Sequence, residues 1–116
     1  MSIAFRRTVS CGLAAAAIGC LAFATIALAD DVPQLKFVHG HFEPASFEVP
    51  ADKAFKLNVT NQDASAIEFE SFELNRERVV GPGETITVNL PKLDPGQYHF
   101  FDDFHHDVPQ GTITAK

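Results

Sequence analysis

The chain has 116 residues, a formal charge of −6 at pH 7 and 46% apolar residues, with eleven phenylalanines and no tryptophan. That suffices for one small domain with its own core, and the acidic balance argues against binding nucleic acid or an anionic membrane surface. Cysteine occurs only at Cys11 and Cys20, and methionine only at Met1.

Residues 1–29 read as a secretory leader: a basic "MSIAFRR", a small-residue apolar run, and an A-x-A site in "ALAD" that places cleavage after Ala29. Arg6–Arg7 and Cys20 fit twin-arginine and lipoprotein signals less well, because their flanking residues depart from both patterns. Cleavage removes both cysteines and Met1, so a domain over residues 30–116 has no disulfide, thiolate or thioether. It keeps nine phenylalanines, and its seven basic against fifteen acidic residues leave a charge of −8. No membrane span is expected after the leader.

From Asp30 onward the chain reads as short strands between turns. "QLKFVHGHF" carries an early strand and "SFEVP" a second, ended by Pro50. "AFKLNVTN" alternates Phe55, Leu57 and Val59 against polar neighbours, the period-two pattern of a half-buried strand. "AIEFESFEL", "TITVNL", "QYHFF" and "GTITA" follow, with turns at "VVGPGE" and "LDPG". About seven strands in so short a chain predict an all-β antiparallel sandwich, with "ESFELNRER" as the single helix candidate.

Three patches concentrate chemistry. In "YHFFDDFHHDVPQGTI", Tyr98, Phe100 and Asp102 share one face, which the two aromatics mark as the core side. A carboxylate at its inner end needs a proton, hydrogen bonds or a cation, and His105, His106 and Asp107 lie within reach. The alternative is a solvated loop whose charges merely pair. In "AIEFESFEL", Glu68 and Glu70 share the face opposite Phe69 and Ser71; a divalent cation would relieve their repulsion, while an edge strand charged against aggregation is the plainer reading. In "HGHFEP", His39, His41 and Glu43 alternate onto one face, as a further imidazole source or an ordinary His-rich strand end.

The segments "EFESFEL", "VVGPGETITV", "LDPGQYHFF" and "DFHHDVPQGTI" resemble the EfeO-type (FtrB-like) cupredoxin-like domains of bacterial periplasmic iron-uptake systems. The resemblance covers nearly all of residues 30–116. It implies a Greek-key cupredoxin-like β-sandwich and a periplasmic location. It also implies work beside a second periplasmic iron-binding protein and an inner-membrane iron permease, in ferrous-iron oxidation or handover. On the pattern of blue-copper domains, the mid-chain histidine position matches Glu68, the cysteine Asp102, the hairpin histidine His105, and the axial methionine falls near Gln110. The iron-uptake relatives place their acidic residue instead at the position of Asp103, so Asp102 and Asp103 are rivals. His106 stands where those relatives have proline.

Loss of sulfur ligands disfavours a blue-copper electron carrier, whereas carboxylate and imidazole suit Cu(II), Fe(II), Fe(III), Mn(II) or Zn(II). The expected ligand set is Glu68, Asp103 and His105, supplemented by Asp102, Glu70 and His106, around a Cu(II) or Fe(II)/Fe(III) ion. Ferroxidase turnover would need a redox-competent metal and an electron acceptor, which a mononuclear site does not itself supply. The competing readings are a metal-free interaction module and a copper-binding chaperone.

Overall fold

The computed structural model describes residues 32–116, and the leader expected over 1–29 lies outside them. Among the described residues nine strands form: β1 Gln34–Val38, β2 His41–Glu43, β3 Ser46–Val49, β4 Phe55–Asn61, β5 Ile67–Ser71, β6 Arg76–Val80, β7 Thr85–Leu90, β8 Gly96–Asp102 and β9 Gly111–Ala115. They make two sheets, ordered β2-β1-β4-β7 and β3-β9-β8-β5-β6. The all-β sandwich expected from the alternating pattern is what the chain adopts, but it is not wholly antiparallel: β1 pairs with β4, and β3 with β9, in parallel, because these partners come from distant parts of the chain rather than from one hairpin. Among the described residues no helix is long and apolar enough to cross a membrane.

Two of the nine strands arise where the sequence pattern is ambiguous. "QLKFVHGHF" is a hairpin rather than one strand, turned at His39 and Gly40 with φ of 53° and 74° and closed by the pair Val38–His41. Successive positive φ values match the right-handed twist of a two-residue hairpin, and Gly40 adopts its value without steric cost. "ESFELNRER" is also a hairpin, not a helix: β5 ends at Ser71, whose Oγ accepts the Leu74 N–H at 3.2 Å. Asn75 then takes φ 54°, and β6 departs antiparallel to β5 from the pair Ser71–Arg76. Asparagine tolerates the left-handed region, so the helix candidate breaks there.

Alternation then decides the core. Leu57, Val59 and Asn61 are buried along β4 as the period-two reading anticipates, with Phe55 partly buried at its start. Asn61 is fully buried yet satisfied: its Nδ2 donates to the Ser65 and Val80 carbonyls at 2.8 and 3.0 Å, and its Oδ1 accepts from Asp63 N–H at 3.0 Å. It fastens the end of β4 to the end of β6.

Phe100 is the aromatic centre of the sandwich. Its ring meets Phe42 of the other sheet edge-on at 5.0 Å and Phe69 of β5 at 5.6 Å. Across β8–β9 it faces Gly111, where a Cβ would lie 2.0 Å from the ring. The glycine therefore provides the volume that the phenyl ring occupies.

Gly111→Ala is expected to destabilise the domain by about 2 kcal/mol or more through overpacking. Urea unfolding, with the m-value checked for constancy, measures it.

Candidate metal centre

The inward alternation of β8 sends Asp102 into the sandwich, opposite Phe69 of β5. Its side chain is fully buried, and it is well supplied with donors. Oδ1 accepts the Glu68 N–H at 2.9 Å and the Phe104 N–H at 3.0 Å, while Oδ2 meets His105 Nδ1 at 2.5 Å. The His105 ring lies over Phe37 at a centroid distance of 6.5 Å and 22° between planes. These contacts tie the β8–β9 loop to β5 and orient the imidazole through Nδ1.

Asp103 is one residue further on, and its backbone N–H donates to the Glu68 carbonyl at 3.0 Å. Ile67 and Phe69 are buried in the core, so Glu68 and Glu70 present their carboxylates on the opposite face of β5. There they meet Asp103: one ligand atom from each of Glu68, Glu70 and Asp103 lies within 4.8 Å of the others. His106 Nε2 joins Asp103 Oδ1 at 3.2 Å. Glu77 on β6 stands directly across from Glu70 in register.

The expected ligand set is thus divided by the sheet. Glu68, Glu70, Asp103 and His106 come together on one face, while Asp102 and His105 pair with each other on the core side. His39 and His41 belong to neither group. They sit at the β1–β2 hairpin, where Asp63 accepts the His39 and Gly40 N–H groups, both at 2.8 Å, and His41 Nε2 meets Glu43 at 2.8 Å. Reading the sequence misses Glu77, because "ESFELNRER" reads as a helix candidate and conceals the strand that carries it. The signal available was Asn75 before the β-branched pair Val79–Val80, a turn followed by a strand.

Crowding of like charges shows in the electrostatics. Glu68 is only 8% exposed, and its carboxyl is pushed up to about 7, first by desolvation and then by Glu77, Asp103 and Glu70. Glu70 is raised by the same causes, desolvation first and then Asp103 and Glu77. A raised carboxyl pKa means the folded state holds a proton that the unfolded chain gives up near its ordinary value. Stability attributable to Glu68 is therefore present at low pH and lost as pH rises toward and through about 7. A divalent cation held by oxygen ligands would replace that proton.

The cupredoxin-like domain model matches residues 11–115. Uncharacterized protein RP394 of Rickettsia prowazekii (strain Madrid E) is 44% identical over 75 residues, 65% of this chain and 60% of that protein, so the chain spans about three-fifths of the relative's length. Solved structures share the fold, two of them as follows. A purple cupredoxin from Nitrosopumilus maritimus is 17% identical with a TM-score of 0.57, covering 72% of this chain and 99% of its own. Dithionite-reduced auracyanin from Roseiflexus castenholzii is 14% identical with a TM-score of 0.61, covering 73% and 96%.

Two outcomes follow for the metal-free protein. Asp102→Ala leaves the Glu68 and Phe104 N–H groups without their acceptor, and is expected to destabilise the fold by about 3 kcal/mol in urea unfolding. Glu68→Gln is expected to raise the melting temperature by a few degrees at pH 8 and to change it little at pH 5, where the parent carboxyl is already protonated; thermal scans at both values check the sign.

Proposed function

The chain belongs to the cupredoxin-like domain family, and on that premise we propose that it is a periplasmic metal-binding protein that assists ferrous-iron uptake. The observation that carries this reading is the convergence of Glu68, Glu70 and Asp103 within 4.8 Å, on a fold whose solved relatives include cupredoxins. Three carboxylate oxygens, with the His106 imidazole beside Asp103, form a hard to borderline donor set suited to Fe(II), Fe(III) or Cu(II). The resemblance of "EFESFEL" and "DFHH" to iron-uptake domains supports iron as the cargo and handover to a permease system as the task. The absence of cysteine and methionine from residues 30–116 supports a role other than thiolate-copper electron transfer.

A second reading has its own observation. Asp102 and His105, which match two of the blue-copper ligand positions, do meet in the structure. A copper ion there would have to part the pair, with His105 turning a ring nitrogen to the metal.

Titration of the metal-free protein with Cu(II), Zn(II) and anaerobic Fe(II) distinguishes the two. One equivalent is expected to bind, with Glu70→Gln and Asp103→Asn each lowering affinity roughly ten-fold or more and His105→Ala leaving it within about three-fold. The Cu(II) form should show only weak ligand-field absorption. If His105→Ala abolishes binding while Glu70→Gln does not, the copper reading replaces the first. In cells, deletion of the gene is expected to impair growth on ferrous iron under chelation, and a copy with Glu68 and Glu70 both changed to glutamine should fail to restore it.

A further inference from the structure

The face that carries the carboxylates also carries large exposed apolar side chains. Among the described residues, Phe72 is 76% exposed, Val79 53% and Phe104 49%. Val79 pairs with Glu68 across β5–β6, and Phe104 is the next residue after Asp103 in the β8–β9 loop. The Phe72 ring packs at 5.1 Å on Phe101, which stands across from Glu70 on β8. Between the β5–β6 turn and the β8–β9 loop lies a cleft of about 340 Å³, walled by Phe72 and Phe101 and lined by Glu73, His99, Asp103 and His106. Glu73 is kept ionised there, held below the usual carboxylate range first by the His99 ring, which bonds it at 2.9 Å.

A large exposed apolar side chain beside an anionic centre is not what solubility alone requires. We propose that this face docks a protein whose surface is basic around an apolar centre, with one arginine or lysine side chain entering the cleft. A guanidinium or ammonium group finds two aromatic rings for its face and the Glu73 and Asp103 carboxylates for its charge. The partner's apolar residues cover Phe72 and Val79, which a small free cation would leave in water. A second copy of this chain is a poor occupant, since it would bring Glu68, Glu70, Glu77 and Asp103 against their own like charges. An anionic lipid surface is disfavoured for the same reason.

The probe is a synthetic peptide alternating arginine or lysine with leucine or phenylalanine, titrated into the metal-free protein and followed by amide nitrogen–proton NMR. Two control peptides keep its length, one with the apolar residues changed to serine and one with the basic residues changed to glutamate. Shifts are expected in residues 68–80 and 98–110, with the serine control at least roughly ten-fold weaker and the glutamate control silent. Phe72→Ser, at an exposed position, is expected to weaken the mixed peptide roughly ten-fold while leaving the metal titration unchanged, which separates this proposal from the metal reading. Equal binding of the serine control, shifts spread over the whole surface, or parent-like binding by Phe72→Ser would each overturn it. So would sedimentation showing that the protein without peptide dimerises through this face.

Discussion

A carboxylate inside a β-sandwich must be surrounded by donors, and that requirement at Asp102 organises the end of the molecule where the acidic group lies. Its two oxygens take one N–H from β5, one from the β8–β9 loop and the ring of His105. Removing a charged acceptor from water is unfavourable unless these bonds form, so the loop and the strand hold their places together. Once Asp102 faces inward, alternation sends Asp103 outward, and the Asp103 N–H to Glu68 carbonyl bond sets it beside the glutamates of β5. One buried acid thereby arranges three acids on the other side of the sheet.

The two groups differ in how their charge is accommodated. On the core side, hydrogen bonds supply what water would have supplied, and His105 is stacked against Phe37. On the outer side the acids are held from water and crowd one another, and Glu68, desolvated first and repelled by its neighbours second, holds a proton up to about 7. Such an arrangement is poised toward a cation because the metal-free state already carries the repulsion. His106, beside Asp103, gives partial relief without removing it.

The fold was largely legible because period-two alternation reports burial directly. Leu57 and Val59 on β4, and Phe100 and Asp102 on β8, are buried as that alternation requires. The turns at "VVGPGE" and "LDPG" fall where they were expected, and what escaped were the reversals at His39–Gly40 and at Ser71–Asn75. A helix candidate at "ESFELNRER" dissolved because Ser71 and Asn75 build a tight reversal, and the left-handed backbone of Asn75 cannot be read from hydrophobic spacing. Missing that reversal hid Glu77 from the acidic group. The rivalry of Asp102 and Asp103 has a simple geometric content: adjacent residues at a strand end serve opposite faces, and each finds its own company there. Spacing along the chain brought His105 near both, but only the fold says which side its ring takes.

The order β3-β9-β8-β5-β6 has a bearing on how the molecule assembles in time. β3 joins its sheet through β9 alone, in parallel register from Ser46–Thr112 to Val49–Ala115. More than half the domain separates the two strands, so loop-closure entropy must be met before their ladder returns any energy. High contact order of this kind puts folding in the slower range for small domains. Until Gly111–Ala115 lies down, Ser46–Val49 has no neighbour to hold it. A chain synthesised from its amino terminus therefore leaves this edge of the sheet unpaired until β9 is available.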